Sequence, residues 1–243
     1  MAKGMVLLVG AGPGDPGLLT LKAAEALKSA DVILHDMLVS PQVLALARPE
    51  AEKIPVGKKG YGPSCRQSEI NALMVKLAGE GRRVLRLKGG DPLIFSRAGE
   101  EIAMAKAAGI PVEVIPGVTA AQAVGAMLAL PLTHRDHARR LQYVTGHDSQ
   151  GGLPADIDWR ALADPTATTI VYMPKRTLAA LAGEVITHGL PANTPALAMM
   201  DSTLPTQRLI TGTVGDLPQR MEEAGLDGPV TVIIGGVCGE ISG

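Results

Sequence analysis

Three times in its first 120 residues the chain runs from a short apolar stretch straight into a loop of glycine and proline. Met5 to Val9 opens into Gly10-Ala11-Gly12-Pro13-Gly14-Asp15-Pro16-Gly17. Val84 to Leu87 leads into Lys88-Gly89-Gly90-Asp91-Pro92, and Val112 to Ile115 into Pro116-Gly117-Val118-Thr119. Met5 to Val9, a continuous apolar run closed by Gly10, fits a strand buried on both faces, and the other two stretches also read as strands. Between them lie helix-patterned segments: Leu18 to Ala30, Ser68 to Gly79, Ala98 to Ala108 stopped by Gly109, and Thr119 to Ala129. Alternating strand and helix predicts an α/β fold with parallel strands and crossover helices. Loops that follow the carboxyl ends of strands in such a sheet face one crevice, where open α/β sheets bind ligands.

The rhythm breaks in the polar, basic stretch from Pro131 to Arg140 and then restarts. This predicts two domains, residues 1–133 and 138–243. In the second, Leu141 to Thr145, Thr169 to Tyr172 and Val230 to Ile234 read as strands, and Thr177 to His188 as a helix stopped by Gly189. Ala196 to Met200 and Arg208 to Thr213 are strand-like with no helix between them. A mixed sheet with an antiparallel pair is therefore expected.

Charge and composition exclude several roles. A net charge of -1 gives no general attraction to nucleic acid or to an anionic membrane, and 2% aromatic residues leave no base-stacking platform. No apolar run reaches membrane-spanning length, and the first is too short for a secretory signal. Cys65 and Cys238 lie far apart in no metal-ligand spacing and read as free thiols of a reducing compartment, so a cytoplasmic protein is expected. His134 and His137 form an H-x-x-H pair without a third ligand nearby in sequence. A polar linker, and no metal, is the expectation.

The first loop superficially matches a dinucleotide fingerprint, but Pro13 and Pro16 remove amide donors that a pyrophosphate needs at a helix start, and the third glycine is misplaced. Gly89 and Gly90 would let a ligand lie on the backbone, while Asp91 could accept from ribose hydroxyls or an amine. A small nucleoside-like cofactor lacking phosphate fits these loops. Two other readings stay open: an NAD-dependent dehydrogenase with a ribose-binding acid around Asp31, and a ligand-binding protein without catalysis.

The stretches VGAGPGDPGLLTLKA, LHDMLVS, IPVGKKG, RLKGGDPLIFSRAGEE, VIPGVTAA, LPLTHRDHARR, YVTGH and TIVYMPKR closely resemble the tetrapyrrole methyltransferases, in that family's order, from residue 6 to about 176. A weaker match continues to the C-terminus. The resemblance implies two αβα domains, the first mainly parallel and the second mixed, with S-adenosyl-L-methionine in the cleft between them and S-adenosyl-L-homocysteine as by-product. It also implies a homodimer and methylation of uroporphyrinogen III at C2 and C7, through precorrin-1 to precorrin-2, with cobalamin, sirohaem and haem d1 all open as the downstream product. With no dehydrogenase or chelatase segment in the sequence, that product would pass to a separate protein.

Position by position, the resemblance assigns Pro13, Gly89, Gly90, Asp91, Ile94, Thr119, Ala120, Met173 and Ser202 to the cofactor, and Arg135 with Met173 to the substrate. Ser202 stands where the family has glycine, and Pro174 where it has another. Asp36 and Lys58 take acid–base roles. Arg97 is an alternative base or a carboxylate clamp oriented by Glu100. Because guanidinium is rarely deprotonated, the clamp is the better chemistry. Arg139, Arg140, Lys175 and Arg176 add cations suited to a polycarboxylate, on charge alone. The role of His147, at a strand end, is open.

Overall fold

A computed structural model describes residues 4–57, 66–148 and 150–242. The chain divides into two compact units, Met1–Thr119 and Ala120–Gly243.

In the first unit the strands are β1 (Met5–Gly10), β2 (Val32–His35), β3 (Glu52–Pro55), β4 (Arg83–Lys88) and β5 (Val112–Ile115). They form one sheet in the order β3-β2-β4-β1-β5, and every pairing is parallel. The helices are α1 (Leu21–Ser29), α2 (Pro41–Leu44), α3 (Gln67–Gly79) and α4 (Ala98–Ala107). Strand alternation sorts the core into two layers. Leu7, Val9, Ile33, Leu85 and Leu87 pack with Ala23, Ala26 and Leu27 of α1 and Val43 of α2. Val6, Leu8, Val32, Leu34 and Val84 pack with Ile70 and Met74 of α3 and Ala98 and Ala105 of α4. β1 thus connects to β2 over one face, while its neighbour β4 connects to β5 over the other. Such divergence marks the carboxyl edge between β1 and β4 as the place for a ligand.

The second unit contains α5 (Ala120–Met127), β6 (Arg140–Thr145), α6 (Trp159–Leu162), β7 (Ala167–Tyr172), α7 (Leu178–Thr187), β8 (Pro195–Met200), β9 (Arg208–Thr213), α8 (Leu217–Glu223), β10 (Val230–Ile234) and a 3-10 segment, Gly236–Ser242. Its sheet runs β6-β7-β10-β8-β9 and is mixed: β6 pairs parallel with β7, whereas β10 runs antiparallel to β7 and β8, and β9 antiparallel to β8. Strands β6, β7 and β8 therefore point the same way. One sheet face packs on α6, α7 and α8 through Leu162, Leu181, Val185, Leu217 and Met221. The other meets α5 through Ala121 and Val124.

Three sequence expectations shift. The unit division falls between Thr119 and Ala120, ahead of the expected 133–138 linker, because α5 buries its small residues with Ile170, Leu197 and Ile233 of the second sheet. The first helix starts at Leu21 rather than Leu18, because the Thr20 hydroxyl caps it by accepting from the Ala23 amide at 3.1 Å. Pro16–Leu18 forms a separate 3-10 turn. The strand β3 and the helices α2, α6 and α8 were not read from sequence. β3 is an edge strand with exposed residues and a terminal proline, and each of the helices is only four to seven residues long.

Candidate functional site

The loops at the carboxyl edge of the first sheet interlock through backbone. Gly12 and Gly90 exchange hydrogen bonds, Gly90 N donating at 2.7 Å and Gly12 N at 3.2 Å, while Ala11 N donates to the Lys88 carbonyl at 2.8 Å. A β-carbon on Gly117 would stand 2.9 Å from the Gly10 Cα, so these loops meet where only glycines fit. This revises the sequence argument: Gly10 and Gly117 are required by the contact of loop on loop, and Gly90 by its left-handed backbone at φ 68. The first loop also spends its amides internally, since Gly17 N donates to Asp15 at 2.7 Å and Leu18 N to the Asp15 carbonyl at 3.0 Å. That is no nest for a pyrophosphate.

Asp91 ties the second loop to the third: one carboxylate oxygen accepts from Gly117 N at 3.0 Å and the other from Leu93 N at 2.8 Å. Each oxygen keeps a lone pair for a ligand hydroxyl or amine. Asp36, directly after β2, accepts from Leu38 N at 3.0 Å and from Gly89 N across the edge at 3.2 Å. The candidate acid–base group and the candidate cofactor loop are therefore hydrogen-bonded to each other. Pro13 is half-buried, and Gly89 packs on Leu38. Exposed Met37, Leu38, Leu93, Ile94 and Phe95 add an apolar rim.

Arg97 and Glu100 form a bidentate pair at 2.7 and 2.9 Å on the surface at the start of α4. Arg97 has φ 61 and Phe95 φ 47; in the second unit Met173 has φ 58, Asp201 φ 50 and Thr203 φ 70. Left-handed backbone on residues other than glycine is costly and concentrates at functional sites. Here it marks the segments following β4, β7 and β8, the last two on one edge of the second sheet, and also Ala129 at φ 49 just after α5.

Met173 is exposed beside Pro174, against which Gly146 packs so closely that an added β-carbon would lie 2.6 Å from the Pro174 Cα. The Thr177 hydroxyl holds that corner by donating to the Gly146 carbonyl. Ser202 is buried, and it is Asp201 and Thr203, not Ser202, that take positive φ. A serine is therefore accommodated where glycine was expected. Tyr172 accepts from Ala121 N at 3.3 Å and so satisfies an amide in the first turn of α5. Thr119 closes the first unit and Ala120 opens α5. His147 Nδ1, at the end of β6, is buried with no hydrogen-bond partner among the described residues.

Arg135, Arg139, Arg140, Lys175 and Arg176 are all exposed, and Arg140 pairs with Asp164. Lys58 and Cys65 lie outside the described residues. Asp31 sits at the amino edge of β2, where it accepts from Arg83 N at 2.7 Å and pairs with Arg48. It is at the wrong end of the strand for a ribose. The dinucleotide-binding sheet also places its first strand beside its second, whereas β1 here lies between β4 and β5. The dehydrogenase reading fails on both counts.

The H-x-x-H pair does gain a third neighbour: Glu240 stands 3.9 Å from His134 Nε2 and 3.7 Å from His137 Nε2. His134 Nδ1, however, accepts from Asp136 N at 3.1 Å, which puts its proton on Nε2, facing the carboxylate. The cluster reads as two stacked imidazoles beside a carboxylate.

The sequence signal missed a buried ion cluster. Glu101, fully buried, accepts from Arg86 Nε at 3.0 Å, Lys88 Nζ at 2.8 Å and Gln67 Nε2 at 3.1 Å. Burial and the Arg86 charge pull the Lys88 pKa below its usual value, against the pull of Glu101 and Asp36.

A family profile described as Tetrapyrrole (Corrin/Porphyrin) Methylases matches residues 5–218. A siroheme synthase of Nitrosococcus oceani is 51% identical over 235 residues, covering 97% of this chain and 50% of that protein. The chain spans about half the length of the curated relatives it matches. A uroporphyrin-III C-methyl transferase from Thermus thermophilus, solved in complex with S-adenyl homocysteine, is similar with a TM-score of 0.83 and 41% identity, covering 96% of this chain and 98% of that one. A cobalt precorrin-4 methyltransferase superposes with a TM-score of 0.85 at 28% identity, covering 96% of each chain.

Proposed function

The chain belongs to the tetrapyrrole (corrin/porphyrin) methylases, and from that premise we propose that it methylates uroporphyrinogen III at C2 and C7, giving precorrin-2 by way of precorrin-1. The observation carrying this reading is the 41% identity, over nearly the whole of both chains, to a uroporphyrin-III C-methyl transferase bound to S-adenyl homocysteine. Only 28% identity links it to a precorrin-4 enzyme. The residues suit the cofactor: the first loop offers no amide nest for phosphate, and Asp91 retains acceptor capacity for a ribose or an amine. Gly89, Gly90, Asp91, Ile94, Pro13 and Thr119 are the first unit's share of the proposed cofactor set; Ala120, Met173 and Ser202 are the second's.

Bound S-adenosylmethionine supplies an electrophilic methyl group on a sulfonium. A pyrrole carbon of the reduced macrocycle is already electron-rich, so the protein's main task is alignment. Asp36, its carboxylate oriented by the Leu38 and Gly89 amides, takes the proton released from the substrate after methylation. Lys58 is the second acid–base group of the proposal. Arg97, braced by Glu100, clamps a substrate carboxylate, and Arg135 with Lys175 and Arg176 offers further cations. A homodimer in the cytoplasm completes the proposal; no helix among the described residues is long and apolar enough to cross a membrane.

The test is to incubate the purified protein anaerobically, under reducing conditions, with S-adenosylmethionine and uroporphyrinogen III, and to weigh the tetrapyrrole. Two added methyl groups are expected. No added methyl on uroporphyrinogen, with methylation of a later precorrin instead, would assign it to a sister reaction. Transfer to neither substrate would overturn the proposal.

A further inference from the structure

Strand alternation puts Arg86 and Lys88 on the α3–α4 side of β4, together with Val84. There Lys88 is 3%, Arg86 5% and Glu101 0% exposed, so two cations share one buried anion. Arg86 Nη1 also donates to the carbonyls of Leu34 and Leu87, at 3.3 and 3.1 Å, and so joins the ends of β2 and β4. An apolar residue at position 88 would leave Arg86 and Glu101 as a neutral pair, but Arg86 and Gln67 both donate to Glu101 Oε1, so the buried Oε2 would lose its donor. That hydrogen bond needs a donor and not a second cation, so the charge of Lys88 is the surplus of the cluster.

The surplus lies beneath the candidate site. Leu34 pairs with Arg86 and His35 with Leu87, which puts Asp36 level with Lys88 at the strand ends. Asp36 N donates to the Leu87 carbonyl at 3.4 Å, and Gly89, the residue after Lys88, donates its amide to Asp36. The Asp36 charge also reaches Lys88, opposing the effect of burial on its pKa.

We propose that Lys88 is a positioning residue: held by Glu101 from below and attracted to Asp36 from above, it keeps the Asp36 carboxylate seated on the Gly89 amide. The proposal rests on Asp36 acting in methyl transfer. Lys88→Met removes a desolvated charge together with the donor to Glu101 Oε2, and is expected to lower Tm and to lower kcat about tenfold or more. Lys88→Gln, polar but uncharged, is the second variant and is expected to lower kcat in the same way.

The experiment measures kcat, Tm and amide hydrogen exchange for the wild type, Lys88→Met, Lys88→Gln, Asp36→Asn and Asp36→Asn/Lys88→Met. Exchange in a peptide covering residues 89–94 is expected to quicken in both position-88 variants. In the Asp36→Asn background the second change should add nothing to exchange or to kcat, because its effect runs through Asp36. Additive losses, a kcat kept at the wild-type value in Lys88→Gln, or exchange equal to wild type would each overturn the proposal. If the wild type transfers no methyl group, the methyltransferase reading fails, and the exchange cycle decides the positioning role by itself.

Discussion

Gly10 and Gly117 approach so closely that a β-carbon added to Gly10 would stand 2.6 Å from the Gly117 Cα and 2.7 Å from the Gly90 carbonyl oxygen. All of these are backbone atoms of interlocked loops, so nothing can swing aside. Gly10→Ala is expected to destabilise by about 3 kcal/mol, the upper end of ordinary overpacking, seen as a lower urea midpoint. Gly99, within α4, has nothing within 4 Å of its missing β-carbon. Gly99→Ala should therefore stabilise by about 0.5–1 kcal/mol.

Ser202 sits between two residues of positive φ without sharing that conformation. Ser202→Gly is therefore expected to gain nothing from relief of strain and to cost about 0.5–1 kcal/mol in backbone entropy. Binding of S-adenosylhomocysteine, followed by calorimetry, should stay within about twofold, since a backbone contact survives either residue. A large rise in affinity for the glycine variant would contradict this account.

The Arg83 amide, and then the neighbouring Arg48, hold the Asp31 carboxyl below its ordinary pKa of 3.8. A carboxylate depressed in the folded state contributes stability above the unfolded pKa and loses it as pH falls through the folded value. The wild type should therefore exceed Asp31→Asn in urea midpoint at pH 7, and the difference should shrink as pH drops below about 4. Equal differences at both pH values would rule out the pairing as the cause.

Burial pushes the Cys238 thiol up to about 12. Thiolate, not thiol, is the nucleophile, so in a Cys65→Ser background Ellman's reagent at pH 8 should find no reactive thiol until the protein is unfolded. A thiol raised from 9.0 to about 12 supports the fold below pH 9 and progressively less as pH climbs towards 12. Alkaline unfolding should therefore be milder for Cys238→Ala relative to its own stability at pH 7.

In the first sheet β1 was legible as a continuous apolar run and β2, β4 and β5 as short, mostly apolar stretches between helix patterns. The loops were legible because proline and glycine punctuate the chain locally. β3 was not: Glu52-Lys53-Ile54-Pro55 is an exposed edge and carries no buried pattern. Asp36, Asp91 and Arg97 were found as candidates through motif and chemistry. That Asp36 reaches Gly89, and Asp91 reaches Gly117, could not be seen in sequence, because those bonds join residues 53 and 26 positions apart.

Glu100 and Glu101 show where the division lies. As neighbouring acids in the first turn of a helix they are equivalent in sequence, and either suits the helix dipole. One step along a helix turns the side chain by about 100°. That turn leaves Glu100 on the surface with Arg97 and sends Glu101 into the core against Arg86 and Lys88. Local pattern alone determined that there is a helix here and that it follows a glycine loop. Which acid is buried depended on where β4 lies, and β4 takes its place between β2 and β1 only when strands distant in the chain pair.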